Sequence, residues 1–255
     1  MTTLTNAAAD SGTMFRRSMR HTLRTPDTML LAIALPVILM LMFVYVFGGA
    51  MDVGGEYIDY VVPGIILLCA SFGAATTATS VSVDMTEGIV DRFRTMAISR
   101  SAVLTGHVAG SLVRNLLTAV LVLAVALAIG FRPNATALEW VAAVGLIALF
   151  VLAISWLCAA LGLVAANPEA ANGFTFFLLF LPYVSSAFVP TSSMPAWLQW
   201  FADNQPVTSV IETLRGLLMG TPIGDSGALA IAWCAGIAVG GYLWAVWAFR
   251  RKTAR

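Results

Sequence analysis

The charged side chains that could carry chemistry are few, and they concentrate in one short stretch of the chain. The stretch SVDMTEGIVDRFRTMAISRSA, residues 82–102, holds three acids and three arginines in a protein of 255 residues that is only 11% charged. These residues are Asp84, Glu87, Asp91, Arg92, Arg94 and Arg100. Interleaved acids and bases suit a protein partner better than an anionic membrane surface, which favours a polar face of lysine and arginine.

No group of residues in the sequence has the spacing of a catalytic or metal site. The sequence lacks G-x-S-x-G and H-E-x-x-H motifs, its two histidines are remote from each other, and no acids pair at metal-ligand spacing within an apolar run. It also lacks the phosphate-binding loop G-x-x-x-x-G-K-[ST], since its only lysine is Lys252. Cys69, Cys158 and Cys234 lie in separate apolar runs and are interpreted as packing residues. We therefore expect no catalytic residue, no metal, no cofactor bound by this chain and no energy source within it.

The composition is that of a membrane protein. Hydrophobic residues make up 59% of the chain and the mean hydropathy is +0.87. An average soluble domain is about a quarter charged, and the few charges here are insufficient to cover a soluble surface. The net charge of +1 gives no reason to expect a nucleic-acid partner.

Six runs approach the roughly 20 apolar residues that a membrane-spanning helix requires. They cover about residues 28–47, 60–83, 108–131, 140–166, 173–189 and 227–249. The second run contains the string CASFGAATTATSVSV, whose small residues allow helix backbones to approach closely in lipid. The predicted fold is an all-α polytopic membrane protein with a single transmembrane domain over residues 1–255.

The positions of the basic residues predict the orientation of the chain. Eleven of the 14 lie before the first span, between the second and third spans, or after the sixth. By the positive-inside rule, both termini and the charged stretch are cytoplasmic. The first apolar run is too long and begins too late for a cleaved signal peptide.

Residues 14–25 have the pattern of an amphipathic helix lying in the inner membrane interface. Large apolar residues recur there at four-residue spacing beside Arg16, Arg20 and Arg24. Each arginine can gain about 1 kcal/mol from anionic lipid. A basic flank that merely follows the topology rule explains the same residues equally well.

The charged stretch itself is predicted to form a helix. Asp84 and Glu87 have the spacing of a capping box, which indicates that a helix begins there. On a helical wheel, Met85, Ile89 and Phe93 share one face and the charged residues share the other. The result is a short amphipathic cytoplasmic helix with mixed charge facing outward. An ordinary solvated loop helix would have the same periodicity.

Residues 190–226, between the fifth and sixth spans, are unusually apolar for an external loop. Their apolar residues recur at helical spacing around an i, i+3 pair of Glu212 and Arg215. Short helices that dip into the outer leaflet, with breaks at Pro195 and Pro206, fit this pattern. A plain amphipathic surface helix is the alternative.

The predicted spans lack the groups of an ion-driven transporter. Acids or histidines within spans are needed for such coupling, although each costs roughly 2.5–3.5 kcal/mol at mid-helix. Every acid in this sequence can be placed in a loop or at a helix end. We expect Arg114 to extend toward the inner interface and His107 to lie in a loop or at that interface.

With these features in place, the chain closely resembles the permease subunits of type 2 ATP-binding-cassette exporters, specifically their daunorubicin-resistance-like branch. The resemblance spans essentially the whole chain and is carried by DMTEGIVDRFRTMAISRSAVLTGHVAGSLVRN (84–115), GFRP (130–133) and FVPTSSMPAWLQWFADNQPVTSVIETLRGLLMG (188–220). Two departures concern the bend and charge of the charged loop. Met96-Ala97 stands where Leu-Pro is frequent, and His107 stands where Arg is frequent.

The resemblance implies roles that the residues alone leave open. The coupling helix that docks on a separate ATPase subunit would contain Glu87, Asp91, Arg92, Phe93, Arg94 and Arg100. The outer gate would contain Pro195, Trp197, Pro206, Glu212 and Arg215. Two permease subunits, identical or sister chains, would form the pathway, and two copies of the ATPase subunit would bind ATP and Mg.

The resemblance also implies the function, an exporter permease in the bacterial cell membrane that carries an amphipathic or hydrophobic compound such as an antibiotic. Phe72, Phe176 and Phe180 are suggested to line the cargo pathway. The same fold also exports lipids or polysaccharide precursors. A membrane scaffold for a cytosolic partner and an intramembrane enzyme are further alternatives, although the enzyme lacks any visible catalytic constellation.

Overall fold

The computed structural model describes residues 26–51, 53–86 and 100–253, and these residues form helices and turns with no strand. We number the α-helices α1 to α8 in chain order. They are α1 (Pro26–Leu41), α2 (Tyr57–Thr86), α3 (Arg100–Ala128), α4 (Ala137–Val164), α5 (Pro168–Phe180), α6 (Ala196–Asn204), α7 (Pro206–Met219) and α8 (Ser226–Thr253). A π-helical turn (Met42–Phe47) and a short 3-10 turn (Gly48–Ala50) extend α1, and a second 3-10 turn (Thr191–Ser193) precedes α6. The all-α prediction is confirmed.

Five helical segments among the described residues are long and apolar enough to cross a membrane. They cover residues 33–50, 57–86, 104–128, 137–164 and 226–252. At about 1.5 Å per residue, each reaches or approaches the roughly 30 Å of the hydrocarbon core. These segments agree with five of the six predicted spans to within a few residues, and the chain is a multi-pass membrane protein.

The remaining predicted span, 173–189, is not one continuous helix. Helix α5 has 13 residues and ends at Phe180, and residues 181–189 continue as a series of turns that we call the turn segment. Pro182 explains the end of α5, because proline has no N–H to bond the carbonyl four residues earlier and its ring crowds that carbonyl. With a length of about 20 Å, α5 alone is shorter than the hydrocarbon core.

Local sequence signals set the boundaries of the helices that follow α3. Thr136 and Glu139 form a reciprocal capping box at the start of α4, with the Thr136 N–H donating to Glu139 Oε2 at 2.6 Å. The Asn167 side chain accepts from the Ala170 N–H at 2.8 Å at the start of α5. Gly220, with φ of +71°, ends α7 in the left-handed conformation that glycine adopts without strain.

Helix α2 forms the axis of the bundle and is buried over most of its length. It packs against α1, α3, α4, α5 and α7. A Cβ atom on Gly162 of α4 would lie 2.3 Å from the Ala78 carbonyl oxygen of α2, and one on Gly64 of α2 would lie 2.6 Å from the Cβ of Ala187 in the turn segment. The small residues of α2 and its neighbours therefore permit backbone contact, as the composition of this helix predicts.

We predict that Gly162→Ala destabilises the bundle, because the added methyl group must displace the α2 backbone at Ala78. The expected loss is about 1–3 kcal/mol of unfolding free energy, typical of overpacking. Gly145→Ala in the same helix is the matched control, since a Cβ there meets nothing within 4 Å. It should be neutral or slightly stabilising, by up to about 1 kcal/mol, because alanine favours the helix over glycine. Thermal unfolding of the purified protein in one detergent measures both, and equal melting temperatures would contradict the prediction.

Candidate functional site

Arg215 of α7 is a buried arginine that joins three parts of the bundle. Its Nη2 donates to the Ser186 carbonyl at 2.7 Å and to the Tyr60 carbonyl at 3.1 Å, and its Nε donates to the same Tyr60 carbonyl at 3.2 Å. Its Nη1 lies 2.7 Å from Glu212 Oε1, and its guanidinium carbon lies 3.8 Å from the centre of the Tyr60 ring. We call these four residues the Arg215 hub. It fixes α7 to α2 and to the turn segment through charge-assisted hydrogen bonds.

The sequence of α7 explains why Arg215 is held inside the protein. The apolar residues predicted at helical spacing, Val207, Val210, Ile211, Leu214 and Leu218, are all buried against the main core. Because Arg215 lies four residues after Ile211 and three before Leu218, it shares their face of the helix, and burial of that face carries the guanidinium inward, where only 9% of the residue remains exposed. Glu212 lies at the edge, with 40% of its side chain exposed. In the sequence, Glu212 and Arg215 have the spacing of a surface ion pair. In the structure, the arginine of this pair is buried and the glutamate is partly exposed.

The turn segment is held by side chains that bond its backbone. The Tyr57 hydroxyl donates to the Phe188 carbonyl at 2.8 Å. Gln205 Nε2 donates to the Leu181 carbonyl at 3.1 Å and also to the Val184 carbonyl. Irregular backbone inside a bundle exposes carbonyls that no helix satisfies, and these side chains satisfy them.

The remaining predicted gate residues lie on α6 and at the start of α7. Pro195 is the residue before α6, and Pro206 is the first residue of α7, so both act as the helix breaks that the sequence predicts. Trp197 on α6 is 74% exposed, and Trp200 on the same short helix is also exposed. Tryptophan at the surface of a membrane protein is typical of the lipid–water interface.

Asp84 corrects one prediction, and His107 corrects part of another, since only its placement in a loop is wrong. Asp84 does not cap a new helix, because α2 continues through it to Thr86. His107 lies within α3, not in a loop, and its Nε2 is 2.9 Å from Asp84 Oδ2, with both side chains mostly buried. One oxygen of the Asp84 carboxylate therefore bonds across to α3. The pair joins α2 and α3 beside the ends that flank residues 87–99.

A line of polar side chains continues along α3 from this pair. Arg114 Nη2 donates to Thr76 Oγ1 of α2 at 3.1 Å, so the arginine is bonded within the bundle. The next residue, Asn115, donates through Nδ2 to the Ser111 carbonyl at 2.8 Å, and the Ser111 hydroxyl lies 2.9 Å from the Ser155 hydroxyl of α4. Sequence reasoning missed Ser111, Asn115 and Ser155, because isolated small polar residues in an apolar helix have no spacing that reveals a partner.

The aromatic residues suggested for the cargo pathway are partly brought together. The Phe176 and Phe180 rings on α5 lie 5.0 Å apart in an edge-to-face arrangement and are 57% and 50% exposed. Phe72 on α2 is half-buried and packs against the main hydrophobic core. An exposed aromatic face on α5 therefore exists, with Phe72 set deeper in the bundle.

Several predicted site residues lie outside the described residues. They are Arg16, Arg20 and Arg24 of the N-terminal segment and Glu87, Asp91, Arg92, Phe93 and Arg94 of the charged stretch. Arg100 is the first residue of α3. The described part of the chain contains no group of three or more histidine, cysteine or acidic residues placed to hold a metal ion, and its three cysteines are free and buried.

We predict that Arg215→Met lowers the free energy of unfolding by about 1–3 kcal/mol for each acceptor left unpaired, because the Tyr60 and Ser186 carbonyls lose this donor. The free energy of unfolding of Arg215→Lys should lie between those of Arg215→Met and the unaltered protein, since one ammonium group cannot reproduce the planar array of donors. Arg251→Met on the exposed end of α8 is the control. Denaturant unfolding in detergent measures all three. If Arg215→Met and Arg251→Met unfold alike, the hub does not hold the bundle together.

For the Asp84–His107 pair, we predict non-additive effects of Asp84→Asn and His107→Gln on the free energy of unfolding. Both substitutions weaken the same contact, so a coupling of about 0.5–3 kcal/mol is expected from a double-mutant cycle. A second cycle between Asp84→Asn and Asp203→Asn supplies the reference, because Asp203 is an exposed residue on α6. Additivity of the Asp84 and His107 substitutions would show that the contact contributes nothing.

Most of the sequence matches a known family of membrane transporters. A family model described as "ABC-2 type transporter" matches residues 11–219. The "Daunorubicin resistance ABC transporter permease protein DrrB1" of Streptomyces coeruleorubidus is 32% identical over 207 residues, which are 80% of this chain and 73% of that protein. The "Probable doxorubicin resistance ABC transporter permease protein DrrC" of Mycobacterium tuberculosis is 26% identical over 216 residues, which are 83% of this chain and 78% of that protein. The matched residues include the Arg215 hub, the Asp84–His107 pair and the charged stretch, and the chain belongs to the ABC-2 type transporter family.

Proposed function

We propose that this chain is the membrane-spanning permease subunit of an ATP-driven exporter that carries an amphipathic or hydrophobic compound of the antibiotic kind. The observation that carries this proposal is the match to the ABC-2 family over residues 11–219, with relatives named for daunorubicin and doxorubicin resistance. The sequence has no phosphate-binding loop of its own, so ATP and Mg bind to a separate ATPase subunit.

The ATPase subunit docks on the charged stretch between α2 and α3. Its contact residues are Glu87, Asp91, Arg92, Phe93, Arg94 and Arg100. Mixed charge offers a partner complementary ion pairs, which set the register of docking. The Asp84–His107 contact supports this role, because it ties the end of α2 to the start of α3 and so holds the two ends of the docking segment at a fixed separation.

Two copies of the permease, or this chain and a sister chain, enclose the pathway, and two ATPase subunits drive it. The exposed Phe176 and Phe180 rings supply an aromatic face for a bulky apolar cargo, with Phe72 deeper in the bundle. Closure of the ATPase subunits on ATP rocks the paired permeases from inward to outward access. Helices α6 and α7 form the outer gate, and the Arg215 hub anchors that gate to α2.

The proposed orientation places both termini and the docking segment on the cytoplasmic side of a bacterial cell membrane. The distribution of arginines supports this orientation. Helix α5 and the turn segment together form one further membrane crossing. It brings the total to six and is the fifth in chain order. Residues 14–25, with Arg16, Arg20 and Arg24, lie along the inner interface.

Copurification and uptake experiments together test the proposal. The chain is purified in mild detergent from its native membrane, and associated proteins are identified by mass spectrometry. Inverted vesicles containing the recovered complex are then given ATP and daunorubicin, whose fluorescence falls as it accumulates. A copurified cassette ATPase together with ATP-dependent uptake supports the proposal. An ATPase without uptake favours a lipid or polysaccharide-precursor cargo, and recovery of the chain alone, under conditions that preserve other transporter complexes, favours a membrane scaffold.

We predict that Asp91→Arg combined with Arg94→Glu uncouples export from ATP hydrolysis without preventing membrane insertion. The substitutions invert the charges that the ATPase surface meets, and like charges at a contact are repulsive. Asp91→Glu combined with Arg94→Lys, which keeps both charges, is the matched control. Drug resistance of cells and the amount of the chain in the membrane are measured together. Full resistance with the charge-inverted variant would contradict the docking assignment.

A further inference from the structure

An apolar cavity of about 100 Å³ lies inside the bundle, away from the exposed aromatic face of α5. Its walls come from α2, α4, α5, α7 and α8, together with Leu181 of the turn segment. It is not fully closed, because its lining residues Leu157, Leu178 and Ile237 are partly exposed at the bundle surface. The cavity therefore communicates with the surroundings of the bundle.

The chemistry of the cavity wall excludes ordered water. A buried water molecule needs two to four polar partners. The only hydroxyl group in the wall belongs to Ser71, and it already donates to the Leu67 carbonyl at 2.9 Å. The wall also contains the thiols of Cys158 and Cys234, which are weak hydrogen-bond donors and acceptors. An occupant of this space must be hydrocarbon-like.

The cavity lies at mid-height in the bundle. Ser71 is the fifteenth of the 30 residues of α2, Ala153 is the seventeenth of the 28 of α4, and Ile237 is the twelfth of the 28 of α8. Each position is about 15–25 Å from the start of its helix, near the middle of a hydrocarbon core roughly 30 Å thick. The medium at this depth consists of lipid acyl chains.

The volume distinguishes this cavity from a cargo site. Pockets for drug-sized ligands enclose about 300–1,000 Å³, and an engineered protein cavity of about 150 Å³ holds a single benzene molecule. A space of about 100 Å³ accepts one narrow hydrocarbon segment and excludes a polycyclic drug.

We propose that this cavity binds the terminal segment of one acyl chain of a membrane phospholipid. Two of the residues that line the cavity, Leu181 and Val207, lie on either side of Gln205. The Gln205 side-chain amide donates a hydrogen bond to the Leu181 carbonyl of the turn segment. The acyl chain therefore fills the space beneath the junction of the turn segment and α7 and supports their packing on the bundle. This inference concerns lipid binding by the folded chain and does not depend on the proposed transport activity.

Photo-crosslinking in a bilayer tests the proposal directly. The full-length chain is reconstituted into nanodiscs of phosphatidylcholine that contain a phosphatidylcholine with a diazirine at the end of one acyl chain. After irradiation, peptide mass spectrometry identifies the labelled residues. We expect labelling of cavity residues such as Cys158 and Ile237. A second lipid, with its diazirine next to the headgroup, should leave these residues unlabelled because they lie at mid-height.

Cavity-filling variants supply the decisive comparison. Ala153→Leu, at a fully buried wall position, should reduce labelling of the cavity residues several-fold. Ala142→Leu adds the same atoms to an exposed position on the same helix and should leave labelling unchanged. If Ala153→Leu does not yield folded protein, the smaller change Ala75→Val, at a cavity residue of α2, replaces it.

Two outcomes would overturn the proposal. Labelling confined to exposed residues such as Leu229 and Val239 would show that acyl chains contact only the outer surface of the bundle. If the cavity residues of Ala153→Leu are labelled as strongly as those of the unaltered protein, the photoactivated diazirine reaches these residues without an acyl chain in the cavity. Loss of cavity labelling in Ala153→Leu, with unchanged labelling in Ala142→Leu, supports acyl-chain binding.

Discussion

The constraint on which much of this structure depends is that a guanidinium group placed inside an apolar bundle must find acceptors for its donors. An unpaired charge at such a position would cost several kcal/mol, so Arg215 can be buried only where carbonyls and a carboxylate already converge. The Tyr60 carbonyl and the Ser186 carbonyl supply those acceptors, and Glu212 supplies the counter-charge. Arg215 needs hydrogen-bond acceptors, and the carbonyls of the turn segment need hydrogen-bond donors, so each satisfies the other. Burial of α7 and the irregular backbone after α5 are thus mutually dependent.

Close packing of α2 makes this arrangement possible. Its small residues let α4 approach at Ala78 and let the turn segment approach at Gly64, so the backbone groups that the arginine bonds are brought within reach. Polar contacts then follow the same helix, from the Tyr60 carbonyl through Thr76 to Asp84. In lipid there is no hydrophobic force between helices, and small-residue contacts and buried polar bonds hold a bundle together instead. Helix α2 supplies both.

Hydropathy predicted most of the fold, because a long apolar run in lipid can only be a helix. It failed at residues 173–189, where an apolar run contains Pro182 and the backbone leaves the helix while staying buried. The capping-box spacing of Asp84 and Glu87 was likewise misleading, because a local motif cannot reveal that α2 continues through Asp84 and that His107 of α3 contacts its carboxylate. Helical spacing correctly predicted the buried face of α7 and the pair of Arg215 with Glu212. The two carbonyl partners of Arg215 are main-chain atoms far away in the chain, and they leave no trace in the local pattern.

The choice of acceptors in the Arg215 hub has a consequence for how this contact can change during evolution. Two of the partners are carbonyls, and the one from Ser186 would be present with any side chain at that position. Mutational drift at position 186 is therefore not coupled to Arg215 by this bond, and the two positions need not vary together among related chains. Methods that infer contacts from correlated substitutions would detect the packing around α7 but would be blind to this bond. Any correlated substitution at Arg215 would involve only the side chains that it contacts, the Glu212 carboxylate and the Tyr60 ring.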